Sequence, residues 1–463
     1  MAEADIGSTG SREELTPAGR KAIWGAFFGL AVDFYDIYLP VVALTPALIY
    51  FIPKGIPLAT QATLSFIVFA VTLIGRPIGA FIFGHLGDAI GRRRTTLIAV
   101  GGFAVMTFLI GLLPGYASWG YGAIVLLIVL RLVDGVFMGG EYTSANPLAM
   151  EACPKRLRGI VGGFIQGAYP IAYIAISITV IILLGLVPSK GVNSAYVQWA
   201  WRVPFFIGAL LGVAFLFYFM RVEESKAWEK AAARTGEATK APLKQLFRGQ
   251  NFRNLAQVFL MMTGLWLAVQ AVISAMPVFL ITVLKQPASD VTRGLLISYV
   301  FLTIGYMIVA LLGQRFGRRI MLIISGFWTM SLGTICYYLM IANVLSKGSF
   351  TLTIVWATIT LTLTIAPWGI VTSYINERFP TGVRASGFGI GYSLAVVIPS
   401  FYSFYLVGLG NIMPYHFSVL VLVVLAGAFQ VVGAWLGPET RDVDLASLVA
   451  PGTKSDSTSA AAT

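Results

Sequence analysis

Twelve long apolar runs limit what this chain can fold into before any motif is considered. They cover about 20–50, 59–86, 95–114, 121–148, 159–187, 199–221, 254–284, 293–313, 320–344, 350–376, 385–409 and 415–437. A helix that crosses a bilayer needs roughly 20 apolar residues. Hydrocarbon offers no water, so every backbone N–H and C=O must be bonded within the segment. The chain is 57% hydrophobic and 11% charged, too little polar surface to coat a soluble fold of 463 residues. The expected class is therefore an all-α membrane protein with twelve transmembrane helices. The first 20 residues are polar and the first run exceeds the apolar core of a signal peptide, so no cleavable leader is expected.

The runs fall into two sets of six with the same punctuation. Gly91-Arg92-Arg93 follows the second run and Gly317-Arg318-Arg319 the eighth. Glu151, Pro154 and Arg158 recur as Glu377, Pro380 and Arg384, each 226 positions later. Six positions at one offset mark an internal duplication. The expected organisation is a tail at 1–19, a six-helix half at 20–221, a linker at 222–253, a second half at 254–437 and a tail at 438–463. Duplicated membrane bundles build secondary transporters, with the site between the halves near the bilayer midplane.

The net charge of +12 does not indicate a nucleic-acid partner, because its distribution follows the membrane. Of 32 Lys and Arg, 24 lie on one side: the tails, Arg92 to Arg94, Lys155, Arg156, Arg158, the segment 221–253, Arg315, Arg318, Arg319, Arg378 and Arg384. The other side carries Lys54, Lys190, Lys285, Arg293 and Lys347, and Arg76, Arg131 and Arg202 lie within runs. This is the positive-inside bias, so both termini are expected in the cytoplasm and the protein in the cell inner membrane. The linker reads as partly amphipathic helix at the membrane surface, and the tail after Pro438 as disordered. Cys153 lies in a loop and Cys336 in a run, so no disulfide framework is indicated. His85 and His416 sit near opposite membrane faces and form no metal cluster. With no P-loop and no nucleophile–base constellation, the chain reads as no enzyme and as needing no cofactor.

Several segments carry a family likeness. Gly84-His-Leu-Gly-Asp88-Ala-Ile-Gly91-Arg92-Arg93 resembles the loop between helices 2 and 3 of the major facilitator superfamily, and Gly313-Gln314-Arg315-Phe316-Gly317-Arg318-Arg319 is similar without the aspartate. Val32-Asp33-Phe34-Tyr35-Asp36, Arg76-Pro77-Ile78-Gly79, Arg131-Leu-Val-Asp134-Gly135, Gly139-Gly140-Glu141-Tyr142, Trp201-Arg202-Val-Pro204 and Glu377-Arg-Phe-Pro380-Thr-Gly-Val-Arg384 are similar to its metabolite:proton symporter branch. That branch usually has Glu where Asp33 stands and Gln where Asp134 stands. By this resemblance Asp88, Arg92, Glu151 and Arg158 form a cytoplasmic gate, a set of ion pairs that breaks as two rigid halves rock.

Charges inside a bilayer cost several kcal/mol, so those that persist usually face a cavity and have a role. Asp33 and Asp36 share a face of the first run, and Arg131 and Asp134 sit near mid-depth of the fourth. Arg76 and Glu141 lie nearer the cytoplasm. Four acids and two bases in a low-dielectric setting predict that at least one carboxyl holds a proton in one conformational state. Two readings stay open. In one, Arg131–Asp134 and Arg76–Glu141 are ion pairs that fix helix packing. In the other, Asp33 or Asp36 carries the coupling proton, with Asp134 and Glu141 as further acids, and Arg131 or Arg76 senses the acid or holds an anionic substrate. At the 226 offset, Asp33, Asp36 and Arg131 correspond to Phe259, Met262 and Ala357, so the second half offers no matching charges.

Tyr35, Tyr142, Gln166, Trp266, Gln270, Trp368 and Tyr392 are polar-edged residues within runs, suited to line a small-molecule pocket or simply to pack helices. Trp266 and Gln270 are i,i+4 and should share a face. Gly139-Gly140, Gly162-Gly163 and Ser386-Gly387-Phe388-Gly389 read as close-packing positions. The expectation is a monomeric proton-coupled symporter of a small polar metabolite, an organic acid in first place. A zwitterionic osmolyte, a drug:proton antiport and a membrane sensor without turnover are the alternatives.

Overall fold

The computed structural model describes residues 14–56, 58–189, 191–234 and 242–445. Its twelve spans are α1 (Pro17–Tyr50), α2 (Ile67–Ala89), α3 (Arg92–Gly111), α4 (Tyr121–Glu151), α5 (Lys155–Leu186), α6 (Tyr196–Phe219), α7 (Gly249–Ile281), α8 (Asp290–Phe316), α9 (Arg318–Leu345), α10 (Phe350–Asn376), α11 (Thr381–Gly410) and α12 (Tyr415–Trp435). No strand occurs among the described residues. Residues 1–13 of the expected first tail, Lys190, part of the linker (235–241) and the expected disordered stretch 446–463 lie outside them.

Polarity is inverted relative to a soluble protein. Ile98, Val105, Leu210, Phe217, Phe301 and Val407 are exposed, while Asp33, Arg76, Asp88, Arg92, Arg131, Glu141 and Arg384 are buried. This is the distribution expected where lipid replaces water as solvent and charges must turn inward.

Glycines set how closely the first half packs. Gly75 and Gly79 on α2 face Gly135 and Gly139 on α4, and a Cβ at any of the four would strike backbone of the facing helix. Two such i,i+4 stripes bring backbones into contact, the usual device where no hydrophobic effect drives association. This packing places Arg76 opposite α4 and Arg131 opposite α2. Gly163 abuts Ala310, Gly387 abuts Phe379 and Gly389 abuts Thr143, so the expected close-packing positions do pack.

The α2–α3 and α8–α9 turns are built alike. Gly91 (φ 110°) and Gly317 (φ 112°) occupy a left-handed conformation that L side chains avoid. The freed N–H groups of the next helix are capped by a carboxylate from elsewhere. Glu224 accepts from Arg92 N (3.0 Å) and Arg93 N (3.1 Å); Glu439 accepts from Arg318 N (2.8 Å) and Arg319 N (3.1 Å). Carboxylates suit helix N-termini, where the macrodipole is positive. These turns lie at the charged end of the bundle.

The segment after α12 departs from the disorder expected of it. Residues 438–445 are packed: Thr440 and Leu445 are buried, and Arg441 Nη1 donates to Arg315 O (2.9 Å). Composition alone missed this, because the anchoring bonds come from backbone carbonyls and one capping glutamate. The linker contains helices Lys226–Arg234 and Pro242–Leu246. Its Trp228 indole donates to Asp88 O (3.0 Å), so that ring serves the charged end.

Candidate functional site

The six embedded charges divide into two clusters and one isolated acid. In the first cluster Arg76 Nη2 meets Asp33 Oδ2 at 3.1 Å. Arg76 Nη1 and Asp33 Oδ1 are buried without hydrogen-bond partners. The Arg76 guanidinium lies 4.7 Å from the Tyr142 ring centroid and 6.0 Å from those of Phe34 and Trp266. Aromatic faces stabilise a cation, the more so where water is excluded.

In the second cluster Arg131 Nη1 meets Asp36 Oδ2 at 3.1 Å and Asp134 Oδ2 at 2.9 Å. Its Nε donates to Thr72 Oγ1 (3.1 Å) and its Nη2 to Asp36 O (3.3 Å). Thr107 Oγ1 donates to the other Asp36 oxygen (3.0 Å). All three Arg131 nitrogens are thus engaged within the first half. The structure places Arg131 in a cross-brace of α1, α2 and α4, away from the cavity wall expected for a substrate-holding residue.

Glu141 is the isolated acid. The expected Arg76–Glu141 pair is absent, because Arg76 turns to Asp33. Glu141 is fully buried and neither carboxyl oxygen has a partner. It packs against Gly29 of α1 and lies near Phe215 of α6, and a Cβ at position 29 would collide with its carboxyl.

Between the halves lies a narrow cavity of about 20 Å³, room for about one water, lined by Phe34, Tyr38, Gln166, Tyr169, Trp266, Val269, Ile273, Tyr306, Ile365 and Trp368. This is far smaller than a ligand pocket, so the seam is closed around it in this conformation. A wider groove between α8 and α10, lined by Ile297, Phe301 and Ile354, faces the bilayer and holds none of the embedded charges. The central cavity continues into a cluster of rings beside Arg76. Trp266 and Trp368 meet edge to face at 4.7 Å, and Tyr392 lies 5.6 Å from each and 4.9 Å from Tyr142. The Trp266 indole donates to Tyr392 O (2.7 Å), and the buried Trp368 indole has no partner.

The 226 offset orders this wall. Tyr142 corresponds to Trp368 (142 + 226) and Gln166 to Tyr392 (166 + 226), so two symmetric pairs of helices supply four of its side chains. Several contacts cross the seam. Tyr142 and Ser393 hydroxyls bond each other, Gln166 Nε2 donates to Thr372 Oγ1 (2.9 Å), and Tyr169 bonds Tyr299 (3.3 Å).

Two expected contacts lie elsewhere. Gln270 accepts from Ser274 (2.7 Å), and the wall of α7 is made by Trp266, Val269 and Ile273. The helix continues in π geometry over Val269–Ser274. Hydrogen bonding at i→i+5 widens the turn, so the i,i+4 face is lost. Tyr35 packs on Gly208 of α6, behind the cavity. Sequence reasoning also missed Tyr38, Tyr169 and Tyr306, whose aromatic character was visible but not their facing.

At the charged end the halves are joined by buried ion pairs and helix caps. Asp88 Oδ1 meets Arg92 Nη1 at 2.7 Å. The same carboxylate accepts from Ala385 N (3.1 Å), Ser386 N (2.8 Å) and Ser386 Oγ (2.6 Å), capping α11 across the seam. Glu151 Oε1 meets Arg384 Nη1 at 2.6 Å and Arg92 Nη2 at 3.5 Å. Gln314, 226 residues after Asp88, accepts from Gly159 N (2.8 Å), 226 residues before Ala385. The neutral residue thus performs the same cap on α5. Arg318 meets Glu377 at 3.0 Å. Burial pushes the Glu377 carboxyl up to about 7, with Arg318 opposing. Of the four expected gate residues, Asp88, Arg92 and Glu151 come together. Arg158 instead donates to Cys153 O (3.3 Å) and Val443 O (2.9 Å).

Two six-span halves, a polar-edged cavity on their shared seam and a buried charged network at one end are the build of a membrane transporter. The chain belongs to the major facilitator superfamily: the description "Major Facilitator Superfamily" matches residues 26–403. It is 30% identical over 399 residues to the inner membrane metabolite transport protein YhjE of Escherichia coli K12, covering 83% of this chain and 87% of that one. The proline/betaine transporter of Salmonella typhimurium is 27% identical over 394 residues, covering 82% of this chain and 75% of that one. The shikimate transporter of Escherichia coli K12 is also 27% identical over 394 residues, with 82% and 85% covered. The fold matches the proton:xylose symporter XylE of Escherichia coli bound to 6-bromo-6-deoxy-D-glucose, with TM-score 0.72, 18% identity and coverage of 94% of this chain and 99% of XylE. The chain is therefore a multi-pass membrane transporter, not an enzyme.

Proposed function

We propose that this chain is a proton-coupled symporter that imports a small carboxylate-bearing metabolite by alternating access. The observation that carries this reading is the Asp33–Arg76 pair beside the seam cavity, with one carboxyl oxygen and one guanidinium nitrogen unpartnered. When Asp33 takes a proton from outside, Arg76 loses its counter-ion and becomes available to a substrate carboxylate. Proton and carboxylate then cross together, which reduces the net charge moved. The shikimate relative supports an organic acid, and XylE supports proton coupling.

A second reading keeps the carboxylate but adds a cationic end. The rings of Trp266, Trp368, Tyr142 and Tyr392 favour it, because aromatic faces bind ammonium groups. The proline/betaine relative fits this zwitterionic class. Uptake into proteoliposomes, screened across hydroxy acids, betaines, sugars and cationic drugs with and without an inward proton gradient, tests both readings. Accumulation of a carboxylate only under the gradient is the expected result. Expulsion of a drug, or sugar uptake alone, contradicts the proposal.

In this reading the protein lies in the inner membrane as a monomer, with both termini and the charged end in the cytoplasm. Residues 20–221 and 254–437 are the moving halves and 222–253 the linker. Asp88, Arg92, Glu151 and Arg384 form the gate. Asp88→Asn replaces one acceptor oxygen by an amide that cannot accept from the α11 cap. Spin labels on either side of the charged end should then report a larger population of long distances. An unchanged distance distribution would contradict the gate assignment.

A further inference from the structure

The segment that follows α12 makes contacts that its place in the second half does not require. Glu439 caps the N-terminus of α9, Thr440 Oγ1 donates to Glu377 (2.7 Å) and Arg441 Nη1 donates to Arg315 O (2.9 Å). All of these partners belong to the second half. From Asp442 on, the segment reaches the first half: Asp442 Oδ1 lies 3.9 Å from Lys155 Nζ, with both side chains largely exposed, and Val443 O accepts from the buried Arg158 Nη1 at 2.9 Å. Leu445 O then accepts from Arg384 Nη2 of the second half at 3.0 Å.

Those two arginines are symmetry equivalents (158 + 226 = 384). Each also ties itself to its own loop in the same way. Arg158 Nε donates to Cys153 O (3.3 Å), and Arg384 Nε donates to Phe379 O (3.0 Å), again 226 apart. Each guanidinium thus has one side fixed to its own half and another turned to the segment. Val443 and Leu445 thus present their carbonyl oxygens to one arginine from each half. The Leu445 side chain is only 3% exposed, which anchors the segment there.

We propose that residues 441–445 are a strap that holds the charged end shut by bridging Arg158 and Arg384. When the halves part at this end, the two arginines separate. The strap is rooted on α8, α9 and Glu377, so it stays with the second half and must release Arg158. Losing this hydrogen bond to a charged donor shifts a two-state balance by roughly tenfold or more.

Cys153 provides a native reporter. It is 3% exposed, its carbonyl is held by Arg158, and burial pushes its thiol up to about 12, which keeps it unreactive while this end is closed. The test uses the Cys336→Ser protein and a membrane-impermeant maleimide. A chain ended after Asp442 should label at Cys153 roughly tenfold faster than a chain ended after Leu445. Full-length Leu445→Asp, which keeps every backbone atom and unseats only the anchor, should accelerate labelling in the same direction. Monodisperse elution of each variant certifies the fold, and if the truncation fails that check, Leu445→Asp decides. Labelling of folded variants at the rate of their controls overturns the strap. The proposal rests on the alternating-access reading. Because labelling is measured without substrate or proton gradient, a wrong substrate or coupling assignment leaves this result readable.

Discussion

Replacing Asp33 by Asn is expected to abolish accumulation against a gradient while leaving exchange of substrate across the membrane intact. The asparagine keeps the shape of the side chain but carries no titratable proton. Each pH unit supplies 1.36 kcal/mol per proton, about a tenfold concentration ratio. A one-unit inward gradient should therefore drive roughly tenfold accumulation of a carboxylate in the parent and none in the variant. Preloaded counterflow serves as the control, since it requires binding and conformational exchange but no net proton movement. Asp36→Asn provides the contrast. Asp36 is saturated by Arg131 and Thr107, and Arg131 would still hold Asp134. Its loss should alter stability more than coupling. Undiminished accumulation in the Asp33 variant, or its loss only in the Asp36 variant, would move the proton to the other cluster.

Arg131→Ala should be the most destabilising single change in the first half. It leaves Asp36 and Asp134 buried with no counter-ion and takes the donor from Thr72. Breaking a buried pair by removing one partner costs about 3–5 kcal/mol, because the remaining charge is uncompensated. The melting temperature in detergent should fall, and Asp36→Asn together with Asp134→Asn should recover much of the loss. A variant as stable as the parent would mean that the cross-brace does not hold these helices. Arg76→Ala offers a useful comparison, since Arg76 has one carboxylate partner and three aromatic neighbours.

Much of this architecture was legible in the chain. The apolar runs gave twelve spans because lipid imposes a length and forbids unpaired backbone. The common offset pairs Arg92 with Arg318 and Arg158 with Arg384 from the chain alone. The embedded charges were also visible, but not who partners whom. Arg76 and Glu141 both looked nearer the cytoplasm, yet side-chain reach and helix rotation bring Arg76 to Asp33. Gln270 was misplaced because a π segment changes the residues per turn, which a pattern of fours cannot register. Glu224 and Glu439 were overlooked because capping is done across long sequence separations by residues in polar segments. They are a matched pair, but their separation is 215, not 226.

That mismatch records something about the molecule's history. The two copies keep step from α2 through the start of α11, then differ by eleven residues (226 − 215) before the caps realign. The realignment is close: Arg93 donates to Met220 O and Arg319 to Trp435 O, again 215 apart. Part of the missing length lies in the turn between the last two spans of each half, 187–195 in one copy and 411–414 in the other. That turn is at the end opposite the charged network. After duplication, one face of the protein could gain or lose residues while the other kept its two helix-capping glutamates and the arginine–carbonyl bonds beside them. Insertions, tags or reporter domains should therefore be tolerated at 187–195, and the same insertions near Glu224 or Glu439 should not.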